Sequence, residues 1–290
     1  MMLRRLLCLA TLPVLFLSCK QIDSSSSHPF VASPGGGDPD AALEVIYAMD
    51  LPTDVISLFD ETGSGYKPEL FPDLNQVPLM DNPDQMAVLL GALGVDMSYS
   101  KLFNQVEDAA ELYRQIEFLA ERLDVPEDVF AKTRDDLQSF VDQPDSLTEL
   151  ILDIYETTDA HFKSTGNDAL ASLSLMGGWL EAAYIGVNIY LENNNLEVGD
   201  RILQQKYALK SLTGLLANYQ ESLWVRRCIL ELERLNRFYE HVEITYPTED
   251  FHIDRSRKRI HATEAQLKYE PQTMEAICAT IIQFRRELLP

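Results

Sequence analysis

Positive charge is scarce in this chain: 24 Lys and Arg stand against 46 Asp and Glu, a formal net charge of −22 over 290 residues. A phosphate-binding surface needs concentrated Lys and Arg, so nucleic acid is excluded as a partner. The deficit is uneven. Residues 19–200 carry 34 acidic and 8 basic side chains, net −26, whereas residues 201–290 carry 12 and 14, net +2. Acidic helices of this kind either solvate their own surface or present a field to a basic or cation-bridged protein partner, felt over about 8 Å in physiological salt.

Cysteine is nearly absent, with four in the chain. Cys8 and Cys19 stand near the start, and Cys228 and Cys278 fall on or beside the apolar seams of predicted helices. There a free thiol packs as a small hydrophobe, although an oxidising compartment would also permit a bridge, and the spacing does not decide between them. After Leu17 no run of about 18 apolar residues follows, the length a membrane-spanning helix requires. Missing too are HExxH, GxSxG, a Walker-type glycine loop, GxGxxG and paired CxxC motifs. No enzymatic activity, metal site or cofactor is therefore expected. His161, His241, His252 and His261 are scattered among polar neighbours. "YEHVE" sets His241 beside Glu240 and Glu243 at spacings that share no helix face. "VDQPD" and "NNNLEVGD" lack the EF-hand order of oxygen ligands. "RSRKR" is the one basic cluster, suited to pairing with the acidic body, to solvation or to contact with lipid phosphates or an acidic partner.

What is present begins with Arg4 and Arg5, followed by an almost wholly apolar stretch over residues 6–17 that Pro13 interrupts. As a helix it would span about 18 Å. That is too short for a bilayer core of about 30 Å and fits an export signal. Phe16-Leu17-Ser18-Cys19 resembles the lipobox of bacterial lipoproteins, in which a peptidase cuts before the cysteine and its thiol takes a diacylglycerol. The resemblance implies a signal peptide over residues 1–18, lipidation of Cys19, and a membrane partner reached through the lipid rather than a spanning helix. Two or three acyl chains hold a protein nearly permanently, one only marginally. Lys20 stands where an aspartate is linked to inner-membrane retention, which implies the outer membrane; an acid-rich stretch after the cysteine can mark surface export, and with Asp23 alone there the periplasmic side is expected. Residues 19–40, with four consecutive serines, three consecutive glycines and three prolines, read as a flexible tether. It would reach on the order of 25 Å.

From Pro39 onward the period is helical. Val106, Ala109, Tyr113, Ile116, Ala120 and Leu123 recur at three- and four-residue steps, as do Leu147, Ile151, Ile154, Thr158 and Phe162. Val225, Cys228, Leu232, Leu235, Tyr239 and Val242 do the same. Prolines after Asn82, Val125 and Gln143 sit just inside helix starts, and Gly166 suits a helix end. These signals predict helices near 40–50, 53–62, 83–103, 105–124, 126–142, 145–164, 168–192, 198–220, 222–242 and 272–288. Short joints favour antiparallel neighbours, so the expected fold is all-α. It is a multi-helix bundle of antiparallel hairpins in a single domain over residues 41–290. "EITY" and "RIHAT" are expected to pair as one short β-hairpin near 243–263.

Two helices are unusual. "SLSLMGGWLEAAYIGVNIYLENN" holds Gly177, Gly178 and Gly186, and each glycine inside a helix costs about 1 kcal/mol relative to alanine. Ser174, Gly178, Ala182 and Gly186 lie four apart and form a groove of small residues. In "MAVLLGALGVDMSYSKLF", Ala87, Gly91, Gly94 and Ser98 form a second. Either the two grooves pack backbone to backbone, or they leave a small-ligand or metal-binding pocket between helices 83–103 and 168–192. Such a pocket would be walled by Tyr99, Trp179 and Tyr184 and carry Asp96 and Glu181 as its polar groups. Both carboxylates sit in apolar surroundings and need partners or a proton.

"DLPTDVISLFDETGSGY", "GALGVDMSYSKLFNQ", "DSLTELI" and "GGWLEAAYI", in that order, resemble an uncharacterised group of helical Bacteroidetes-type lipoproteins. Asp96, Tyr99, Trp179 and Glu181 match the group's recurring positions. The resemblance implies a fold and a compartment but no activity. The leading expectation is a lipid-anchored envelope protein that acts as an interaction scaffold or assembly component.

Overall fold

Local signals decide where the helices begin and end in the computed structural model, which describes residues 64–126, 157–245, 252–254, 259–261 and 265–290. The chain divides into the units Met1–Phe30 and Val31–Pro290, and every described residue lies in the second. Cys19, the tether, and the helices expected near 40–50, 53–62 and 126–142 lie outside the described residues, as does most of that at 145–164.

Two 3₁₀ turns, Pro68–Leu70 and Leu74–Leu79, lead into helix α1 (Pro83–Leu102). Asn82 caps it by accepting from the Gln85 amide, with Pro83 at the first position, where no amide hydrogen is needed. Asn104, at φ 54°, turns the chain into α2 (Val106–Arg122), whose acids Glu107 and Asp108 lie in the first turn and Arg122 in the last. A helical stretch over 157–164 stops at Gly166, φ 76°. The long helix α3 (Asp168–Asn193) ends at Asn194 in the left-handed region. Helices α4 (Leu196–Gln204), α5 (Lys206–Leu216), α6 (Leu223–Tyr239) and α7 (Pro271–Leu288) complete the all-α fold.

Two details differ from expectation. The helix expected over 198–220 is broken at Gln205. Its apolar stripe runs through Val198, Ile202 and Leu203 and resumes at Ala208 and Leu209, but polar Gln205 and Lys206 fall between. Both turn to other elements: the Gln205 side chain accepts from Trp179, and Lys206 Nζ donates to the Val242 carbonyl at 2.6 Å. The strands also pair otherwise than expected. β1 (Glu243–Thr245) pairs antiparallel with β4 (Gln266–Lys268), and β2 (His252–Asp254) pairs with β3 (Arg259–His261) inside it. The helices on either side explain the register. Arg227 near the start of α6 meets Glu287 at the end of α7, so the two run antiparallel, and the end of α6 lies by the start of α7. This draws β1 and β4 together and sets Ile244 opposite Leu267 against the core.

Helix α3 is the hub, packed against α1, α4, α5 and α7. Among the described residues it is the one helix long and apolar enough to cross a membrane, yet 83% of that window is buried by its neighbours. Residues 86–100 of α1 are all buried, as befits a helix apolar all round. Helices α1 and α3 run in the same direction. At their starts, Ser222 bonds Asp84, and Tyr219 from the same turn lies by Ser172. At their ends, Tyr99 donates to the Gly65 carbonyl and Asn193 to the Ser64 hydroxyl. The intervening 103–167 segment makes this possible, as a long crossover does in a bundle.

Candidate functional site

The site begins where α1 crosses α3. A β-carbon built on Gly91 would lie 1.8 Å from the Ser174 carbonyl oxygen, and one on Gly177 would lie 1.9 Å from the Val88 carbonyl oxygen. The backbones touch at these two points and leave no room there for a ligand. Gly91 belongs to the stripe of Ala87, Gly94 and Ser98, and it meets Ser174 and Gly178 of the facing stripe. Gly177, one residue off the stripe that continues to Ala182 and Gly186, was not singled out by the four-residue step.

Further along the pair, three ionisable side chains from three helices converge. Glu181 of α3 is fully buried, and Arg285 of α7 is 5% exposed. The guanidinium grips the carboxylate with two bonds, Nε to Oε2 at 3.0 Å and Nη2 to Oε1 at 3.3 Å. Two further donors go to the Leu70 carbonyl at 3.2 Å, from Nη2, and the Pro290 carbonyl at 3.3 Å, from Nη1. The ring of half-buried Tyr184 lies under Arg285, 4.9 Å from the guanidinium carbon to the ring centroid. Asp96 of α1 is fully buried beside this pair, and neither of its oxygens has a hydrogen-bond partner among the described residues.

Charge balance sets the protonation states. Burial pushes the Asp96 carboxyl far above the usual range, the negative Glu181 pushes it further, and Arg285 opposes both only in part. Burial also raises Glu181, against which Arg285 works through charge and hydrogen bonds. For Arg285 burial acts downward, but Glu181 outweighs it and the guanidinium stays charged.

Of the five residues read as pocket candidates, the structure gathers Asp96, Glu181 and Tyr184 around Arg285. Trp179 and Tyr99 serve elsewhere. Buried Trp179 donates its indole N–H to the Gln205 side chain at 3.2 Å. Tyr99 packs against Tyr66, Phe71 and Phe103, at 5.5, 6.1 and 5.0 Å between ring centroids. Tyr66 closes that group from outside, donating to Asp108 at 2.7 Å and sharing a bond of 2.9 Å with Ser100. The sequence reading missed Arg285. A signal was there: Met274, Ile277, Cys278, Ile281, Phe284 and Leu288 form the buried stripe of α7, and Arg285 lies on it, seven residues after Cys278.

Cys228 and Cys278 are free and buried, and burial pushes their thiols up to about 12 and about 11. Among the described residues no group of three or more His, Cys, Asp or Glu is arranged to hold a metal ion. The chain matches no protein-family model, no curated protein and no solved structure.

Proposed function

We propose that this chain is a lipid-anchored protein of a bacterial envelope whose helical body acts as a non-enzymatic interaction scaffold or assembly component. The observation that carries the reading is the order of residues 4–19: two arginines, an apolar stretch too short to span a bilayer, a small residue and Cys19. The serine-, glycine- and proline-rich stretch that follows supports it, since a body held by acyl chains needs slack to stand clear of the lipid. The body's construction suits a scaffold, because helices in backbone contact, locked by a buried ion pair, present a rigid surface. Lys20 favours the outer membrane, and the single acid Asp23 in place of an acid-rich stretch favours its periplasmic side.

Cell fractionation with labelled palmitate tests the anchor. The parent is expected in the membrane fraction carrying label, and Cys19→Ala in the soluble envelope fraction without it. Label absent from the parent, or a Cys19→Ala variant that stays with the membranes, would overturn the proposal.

A small-ligand or metal-binding body is the second reading, favoured by the unpartnered Asp96 carboxyl. Against it stands the contact of the two helices at Gly91 and Gly177, which closes the groove at those points.

A further inference from the structure

The Asp96–Glu181–Arg285 cluster holds two carboxyl groups and one guanidinium, all within the core. Four of the five guanidinium hydrogens have acceptors among the described residues, none of them on Asp96. Glu181 occupies Nε and one Nη2 hydrogen of Arg285, and the carbonyls of Leu70 and Pro290 take others. Each bond fixes the guanidinium toward Glu181. Asp96 receives none of these donors and finds no other among the described residues. With both carboxyls ionised, the cluster would carry one net negative charge, on a side chain without solvent or a hydrogen bond. Burying such a charge costs more than binding a proton. A metal cation is a poor substitute, since Arg285 already supplies a fixed positive charge beside the site.

We infer that Asp96 is a proton-binding site, and that its bound proton, by removing a buried charge, lets α1 stay packed beside Glu181 of α3 and Arg285 of α7. The inference stands on the cluster itself and does not depend on the anchor at Cys19. Among the described residues, the charged and titratable groups that face Asp96 are Glu181 on α3, Arg285 on α7 and, ahead of α1, the Tyr66 hydroxyl. Glu181 raises the proton's affinity and Arg285 lowers it. The affinity for this proton therefore depends on how closely Arg285 is held to Glu181.

The sign follows from linkage. The folded state keeps this proton at pH values where the unfolded chain, with an ordinary carboxyl, has lost it. Stability then falls as pH rises from the ordinary carboxyl range toward the folded-state value, by up to about tenfold in the folding equilibrium per pH unit. Above that value the proton leaves and the loosening is complete.

Urea unfolding of the full chain and of Asp96→Asn, across a pH series from mildly acid to mildly alkaline, tests the inference. Asparagine keeps the shape and neutrality of the protonated acid. The variant is expected to gain on the parent steadily as pH rises, by up to about tenfold in the folding equilibrium per unit. Glu181→Gln removes the charge that holds the proton and is expected to shift the Asp96-linked part of the profile to lower pH. Parallel profiles for the parent and Asp96→Asn would overturn the inference. Infrared spectroscopy of the parent with carboxyl-labelled aspartate needs no variant to fold. A labelled un-ionised carboxyl band persisting at neutral pH is expected, and its absence would equally overturn the inference.

Discussion

At Gly91 and Gly177 a side chain would need the space that the carbonyl groups of Ser174 and Val88 fill. Backbone cannot swing aside as a flexible side chain can, so Gly91→Ala or Gly177→Ala should cost about 3 kcal/mol or more in urea unfolding. Exposed Gly214 of α5 has nothing within 4 Å of its would-be β-carbon. Gly214→Ala should accordingly gain about 0.5–1 kcal/mol by the helix preference of alanine. Opposite signs for one chemical change separate close packing from helix propensity. At Arg285 the issue is charge. Arg285→Met leaves Glu181 buried without its partner, and a loss of about 3–5 kcal/mol is expected near neutral pH. Burial already raises Glu181, and without Arg285 nothing opposes it. The variant's deficit should grow as pH rises from the ordinary carboxyl range, because buried Glu181 keeps a proton that the unfolded chain gives up, and shrink as pH falls back into that range. Unfolding midpoints at acid and neutral pH check both the size and the sign. Asp96 and Glu181 were legible in the sequence as charges in apolar stretches. Which of them would claim Arg285 was not, because that depends on how α7 lies against α3.

The helices themselves answer to signals a few residues long. Ser222 caps α6 by accepting from the amides of Trp224 and Val225, and its hydroxyl also bonds Asp84 at the start of α1. Ser222→Ala should therefore cost about 1–2 kcal/mol, measured by denaturant unfolding, because it removes a cap and a tie between two helices. A cap and proline of this kind, Asn82 and Pro83, made the start of α1 readable. Amphipathic period did the same for α2 and α6, each with one wet face. Period failed where its physical basis fails. In α1 no face is wet, so the sequence shows a continuous apolar run with small residues in it. At Gln205 the helix breaks because two polar side chains find partners on other elements, Trp179 and the Val242 carbonyl. The strands followed a similar rule: β1 and β4 meet because α6 and α7 lie antiparallel, a condition no three-residue strand encodes.

For the molecule as a whole, the non-local pairing of α1 with α3 is the organising contact. The thiols report on it and on its neighbours. Cys228 and Cys278 are buried and held far from the thiolate form. Cys228 and Cys278 should therefore react slowly with a thiol reagent in native protein and promptly in denaturant, and a reducing agent should leave the native stability unchanged. Prompt labelling of either cysteine in native protein would show the helices around it opening easily. The sequence by itself determined that the chain is helical, where most described helices start, and which residues are too small to hold helices apart. Those are local properties, set by backbone preference, capping and the alternation of apolar and polar side chains. Only the tertiary structure decided that α1 and α3 run the same way in contact at Gly91 and Gly177, and that Arg285 belongs to Glu181 and leaves Asp96 alone. Such choices compare whole arrangements of helices, in which a buried charge must find its partner among residues 104 positions apart in the chain.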